Sequence, residues 1–387
     1  AGAIGFSTSM ASTHVTPDGG PVASRIADWT ELDYLAAQMA DLNSGVFQIG
    51  PDVASGEAQR VFLGRLQQVA LDCGRPVMFG TISTRQGADP NPWRYQLDYI
   101  DDTVAKGGRM FGQTTTKSIN AVFSFKSYLP FDNLAIWKDV RALPHEAQKQ
   151  RLSDPEVRRQ LVTAEADMRP RTDEFQGGGA ATTNPMKPDY ENIFAMQGVD
   201  WKDPTVWQLS RSNGQHPVET IIDLVLENED QIFYQPLVNE SPDDVLGMLE
   251  HPLTLATFSD SGAHVAQEMG SSLQTHMLSY WVRDRQAFSL EQAVRMLSFD
   301  NASAWEIPDR GLIRTGYAAD IVIFDEAEVR PCLPTVEQDL PGGARRLVQK
   351  AEGIHATVVN GYVTFKDGAA TGKFPGALIK GRLANGA

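Results

Sequence analysis

The sequence predicts an α/β barrel followed by a small β domain. Three observations carry that expectation. Strand-like and helix-like segments alternate through most of the first 306 residues, as in a parallel sheet with crossover helices. The strands are apolar almost throughout rather than at every second residue, so both faces of the sheet are covered. Neither G-x-G-x-x-G nor G-x-x-x-x-G-K-[ST] stands between an early strand and a helix, which disfavours a nucleotide-binding open sheet and favours the barrel.

Taken in order, GAIGFSTS (Gly2–Ser9) reads as a short buried strand. Leu32, Leu35 and Met39 recur at helical spacing within Trp29–Leu42. Gly45–Gly50 is the second strand. Phe62, Leu66, Val69 and Cys73 form one stripe of an amphipathic helix that Gly74 closes. Pro76–Ser83 is the third strand, Tyr95–Gly108 a helix with a glycine stop, and Arg109–Thr116 the fourth strand. From about 118 to 207 the alternation lapses. Polar, helical Leu143–Met168 is followed by glycine- and proline-rich Arg171–Asn192, and the whole reads as an insertion over a pocket. Alternation resumes with a helix that Pro217 opens, then Gln231–Val238 as a fifth strand. Ser241 is the expected N-cap of the next helix, and Leu253–Asp260 is the sixth strand. Ser289 and Gln292 have capping-box spacing. Residues 307–387 differ: they are rich in β-branched residues and turn glycines, and Asn360-Gly361 between two strand-like runs signals a hairpin.

Composition bounds the function. Lys and Arg total 34 against 49 acids, a formal charge of −15, which argues against nucleic-acid or anionic-membrane binding as the main task. No apolar run approaches the roughly 20 residues needed to span a bilayer, and no basic-then-apolar leader is seen. Cys73 and Cys332 cannot make a disulfide framework and read as reduced thiols of a cytoplasmic protein. The opening AGAIGFSTSM is already strand-like and lacks an initiator Met, so the chain reads as a piece of something longer.

Barrel chemistry sits at the carboxyl ends of the strands. The residues there are Ser7–Ser9, Gln48–Asp52, Gly80–Ser83, Gln113–Thr116, Gln235 with Asn239, and Asp260 with His264. Asp260 is the acid placed directly after a strongly apolar strand. A carboxylate there can ligate a metal or move a proton, or it can simply cap a turn. His264 is open between ligand, supporting donor and loop residue. His145, His276 and His355 have no partner at ligand spacing. A triad of Ser259 or Ser261 with His264 and Asp260 lacks a G-x-S-x-G elbow. Arg85, Lys117 and Arg283 either hold a carboxylate or are solvated surface charges.

Four stretches carry a resemblance: TFSDSGAH, YWVRDR, FDNASAWEIPDRGLIRTGYAADIVIFD and LVQKAEGIHATVVNGYVTFKDGAATGKFPGALIKG. Together they resemble the carboxyl-terminal half of the amidohydrolase superfamily, in its N-acyl-D-amino-acid deacylase branch. GAIGFSTS and GRPVMFG resemble the middle of the same family. The resemblance implies a (β/α)8 barrel with a β-sandwich and hydrolysis of an amide C–N bond by metal-activated water. It implies that Asp260 is the catalytic acid and a metal ligand. Two departures follow. The family's His-x-His strand should precede Ala1, and six strands are two short of a barrel. A second polypeptide is therefore expected to supply the first strands, the His-x-His pair and half of the sandwich, within a higher oligomer. Gly50 and Thr81 stand where characterised deacylases carry histidine ligands, which leaves a mononuclear site, zinc or another divalent metal, as the simplest arrangement. His264, Gln48, Thr81 and Ser261 are expected to contact the amide substrate or support the ligands, with Asp52 a further candidate. The competing readings are a cyclic-amide or carbamate hydrolase on the same scaffold, and a non-catalytic scaffold with a decayed metal site.

Overall fold

Five parallel strands make a continuous wall in the computed structural model, which describes residues 2–12, 14–51, 56–84, 92–169, 187–259, 261 and 270–381. Numbered in chain order, they are β1 (Gly5–Ser9), β2 (Val46–Gly50), β3 (Val77–Gly80), β4 (Met110–Thr114) and β8 (Thr254–Ala256), hydrogen-bonded in that sequence. Ser7 lies opposite Gln48, Gly80 opposite Gln113, and Thr114 opposite Ala256.

The alternation of side chains along each strand divides the wall into two faces. Phe47 and Ile49 face outward into a core with Leu63, Leu66, Val69 and Ile100 from the covering helices. Val46, Met78 and Leu255 face the other way and meet Ala304 and Trp305. Each such fully buried side chain contributes about 1.5–3 kcal/mol. The covering helices are punctuated as their sequences require. Asp28 caps Trp29–Leu42 by accepting from the Thr30 amide at 2.8 Å, and the left-handed Asn43 ends it. Gly74, at φ +60, ends Glu57–Cys73.

A second unit leaves the wall after β4. β5 (Ile119–Phe123), β6 (Phe194–Ala195) and β7 (Phe233–Val238) form an antiparallel sheet with β7 in the middle. The expected fifth barrel strand, Gln231–Val238, thus lies in this sheet and not in the wall. An apolar run does not distinguish the two destinations. Pro236, which lacks an amide donor, faces Asn120 beside a register shift, where the ladder tolerates it. Trp137 anchors the unit. It is fully buried, stacks on Phe131 at 4.7 Å, and packs among Leu161, Ile222 and Phe233.

After β8 the chain returns to helix. Met277–Asp284 winds as a π-helix, and its buried Trp281 donates to the Thr116 carbonyl at 2.6 Å, tying this helix to the end of β4. The Ser289–Gln292 capping box forms as expected. The C-terminal part is β-rich. β9 (Ile321–Phe324), β10 (Arg330–Pro331), β11 (Thr335–Leu340), β12 (Ala344–Val348), β13 (Ala351–Glu352), β14 (Ile354–Val359), β15 (Tyr362–Lys366) and β16 (Ala369–Ala370) make one four-stranded sheet and two ribbons. The hairpin turns on Asn360 (φ +46) and Gly361 (φ +81), both left-handed, so glycine suits the second position. The architecture is an α/β barrel wall with a β-rich C-terminal part. Among the described residues no helix is long and apolar enough to cross a membrane.

Candidate functional site

At the carboxyl end of the wall the inward-facing side chains change from apolar to polar. Ser7 Oγ donates to Gln48 Oε1. Gln48 Nε2 donates to Gln113 Oε1 at 3.3 Å, and Gln113 Nε2 donates to Thr257 Oγ1 at 3.0 Å. This belt crosses from β1 to the residue after β8. Gly80 makes the crossing possible on β3: a Cβ there would sit 2.8 Å from Phe258 Cδ2 and 3.0 Å from Gln113 Cβ. Thr81 lies beside the belt, its hydroxyl 3.4 Å from the Gln113 carbonyl.

Of the residues singled out in the sequence, Gln48 joins the belt and Thr81 adjoins it. Ser261 is exposed, with its Oγ 3.1 Å from Ser259 Oγ. Asp260 and His264, with Asp52 and Arg85, lie outside the described residues. Arg283 donates to the Val329 carbonyl at 2.8 Å and pairs with Asp284, a structural role.

Where the chain leaves β4 for β5 lies a small cleft lined by Lys117, Asn120, Trp201, Tyr234 and His276. Lys117 is 5% exposed, and burial pushes its pKa down to about 7. It is not the solvated charge that one sequence reading allowed. His276 is 1% exposed. Burial first, and then the neighbouring Lys117 charge, hold its pKa down at about 3. Its ring stacks on Tyr280 at 5.1 Å and meets the edge of Trp201 at 5.2 Å. Sequence reasoning set His276 aside for want of a partner at ligand spacing: Tyr280 is one helical turn away, but Trp201 and Lys117 come from distant segments that no spacing signals.

The sequence profile of the amidohydrolase family matches residues 3–365. This chain belongs to the amidohydrolase family. Among curated proteins, the amidohydrolase chain is similar to the N-acyl-D-aspartate deacylase of Alcaligenes xylosoxydans xylosoxydans. The two are 33% identical over 141 residues, 35% of this chain and 26% of that one. The D-aminoacylase of the same organism is 32% identical over 103 residues, 27% of this chain and 19% of its own. The chain thus matches about a quarter or less of the length of these relatives. Among solved structures, D-aminoacylase superposes with a TM-score of 0.51 at 16% identity, covering 96% of this chain and 61% of that one. N-acyl-D-glutamate deacylase from Bordetella bronchiseptica, solved with zinc and a phosphonate inhibitor, gives 0.50 at 14%, covering 98% and 63%. At these identities the structural likeness concerns the fold.

The described residues do not by themselves fit a zinc site at the strand ends. The belt offers carboxamides and hydroxyls, whereas zinc is held by imidazole, thiolate and carboxylate. One cluster of such groups occurs among the described residues, His145, Glu146 and Glu229, but on the inserted helical unit. There His145 Nε2 and Lys149 Nζ contact the Glu229 carboxylate at 2.9 and 2.8 Å, with Lys126 at 3.8 Å. Lys149, and then His145, pull the Glu229 pKa down to about 2. With its charge already met by ammonium groups, this cluster is an ion-pair network.

Proposed function

We propose that this chain is the larger part of an amide hydrolase acting on N-acyl amino acids or related small amides. The observation that carries the reading is the family match across nearly the whole chain. The likeness to deacylases supports the substrate class. Asp260, at the end of the segment that continues β8, would take the proton from the attacking water and return it to the leaving nitrogen. Gln48 and Thr81 would orient the amide, with His264 and Ser261 alongside.

A divalent metal, zinc by analogy with the deacylases, is part of this proposal. Because the belt does not fit a metal, the imidazole ligands would come from strands outside this sequence, carried by a second polypeptide within a larger assembly. Two observations support that completion. Among the described residues β1 and β8 each have one strand neighbour, and bare edges of a parallel wall invite pairing. The C-terminal sheet leaves Val322, Tyr362, Val363 and Phe365 at 53%, 58%, 40% and 49% exposure, apolar surface that further chain would cover. Two free cysteines support a reducing compartment, the cytoplasm.

The belt itself favours one second reading, a scaffold subunit whose metal site has decayed. Metal analysis of the intact assembly, this chain with the polypeptide that completes its wall, together with a panel of N-acyl amino acids separates the two. The hydrolase reading requires about one equivalent of metal and release of the free amino acid. A metal-free, inert assembly would establish the scaffold.

A further inference from the structure

On the amino-terminal side of the belt, the inner face of the wall is apolar and is closed by the chain's own later residues. Val46, Met78, Phe111 and Leu255 share the face that carries Gln48 and Gln113. A wall of five strands with bare edges should leave this face wet. Yet Val46, Met78 and Leu255 are 1%, 0% and 3% exposed. Ala304 and the Trp305 ring pack against them, at the end of the helix Asn301–Ala304.

The next residue fixes this segment. Glu306 sits at φ +55, a left-handed conformation that favours glycine and that persists elsewhere where the surroundings impose it. Its carboxylate accepts from Arg75 Nη2 and, at 2.7 Å, from Arg109 Nη1. These arginines precede β3 and β4, at the amino end of the wall. Arg75 is 6% exposed, and it also donates to the Gly45 carbonyl at 3.1 Å and to Asn43 Oδ1 at 2.8 Å, just before β2. A guanidinium so buried needs a carboxylate, so the Arg75 contact dominates, whereas the more exposed Arg109 adds little. We propose that Trp305 and Glu306 are a plug and its latch. The ring closes the amino-terminal end of the inner face, and the Glu306 carboxylate on Arg75 holds it there. A ligand at the belt then has a floor beneath it, about 7 Å down, because Val46 and Leu255 stand two residues before Gln48 and Thr257 on their strands. The inference is independent of the amide-hydrolase reading.

Thiol labelling of the full chain tests both parts. Met78→Cys places a thiol behind the plug, and the part-exposed Cys332 serves as internal standard, each read by peptide mapping. Iodoacetamide should modify Cys332 and spare the introduced thiol. Adding Trp305→Ala should speed labelling of that thiol roughly tenfold or more, because local opening then reaches it. Adding Glu306→Gly should do the same and lower the urea midpoint, although glycine suits the backbone there. Where that variant does not fold, Glu306→Gln, which keeps the volume and removes the charge, takes its place with the same expectation. In the otherwise wild-type chain, Arg75→Met and Glu306→Gly together should lower the midpoint by less than the sum of the two single changes, since both remove one contact. An introduced thiol that labels as fast as Cys332 with Trp305 in place overturns the plug. A Glu306 variant with an unchanged or raised midpoint and unchanged labelling, or strictly additive shifts in the pair, overturns the latch.

Discussion

Gly80 sets the inner surface of the wall at the belt. A methyl group there meets Phe258 and Gln113 inside ordinary contact distance, so Gly80→Ala is expected to destabilise by about 1–3 kcal/mol, read as a lowered urea midpoint. Asp260→Asn is expected to keep the fold and lower kcat on an N-acyl amino acid by about 10²–10⁴-fold, the usual worth of a general acid–base. An Asn variant at full rate would remove Asp260 from the chemistry. Lys117 and His276 make a pH prediction. Both have folded pKa values below their ordinary ones, about 7 against 10.5 and about 3 against 6.5. The unfolded chain therefore binds protons more tightly than the folded one. Stability should rise with pH between about 3 and 6.5 through His276, and between about 7 and 10.5 through Lys117, each with a limiting slope of about 1.4 kcal/mol per pH unit. His276→Gln should flatten the dependence of the urea midpoint between pH 4 and 6, and an unchanged slope would contradict its neutral burial. Lys117 was legible only as a cation that could hold a carboxylate or be solvated, and its burial was not. His276 was not legible, because its burial against Trp201 and beside Lys117 arises only from packing of distant segments.

Among the elements, those governed by local rules were readable and those governed by partner choice were not. The Ser289–Gln292 box, the Ser241 cap and the Asn360-Gly361 turn depend on neighbours within a few residues, and all three form. Ser289→Ala should cost about 1 kcal/mol in thermal or chemical denaturation, because the Gln292 amide loses its acceptor. β7 was misassigned because its apolar run suits either a wall or an insert. What decides is the strand beside it, Ile119–Phe123, 110 or more residues earlier in the chain. Trp137→Ala should destabilise by about 3–5 kcal/mol, since the cavity opens in the centre of that unit's core.

For the molecule as a whole, the α/β alternation and the β-rich C-terminal part were legible from periodicity, whereas the order β1-β2-β3-β4-β8, which passes over β7, was not. The polar belt was legible only in part. Gln48 and Thr81 were marked by their positions at strand ends, but the hydrogen-bonded connection through Gln113 to Thr257 depends on register, which sequence does not state. The belt also bears on the central claim: five strands with amide and hydroxyl groups at their ends need further strands and imidazoles to become a metal hydrolase. The most direct measurement is zinc content and N-acyl amino acid hydrolysis of this chain produced alone and together with the polypeptide that completes its wall. The account predicts less than a tenth of an equivalent and no turnover for the chain alone, and about one equivalent with turnover for the assembly. Stoichiometric zinc and turnover in the chain alone would contradict it.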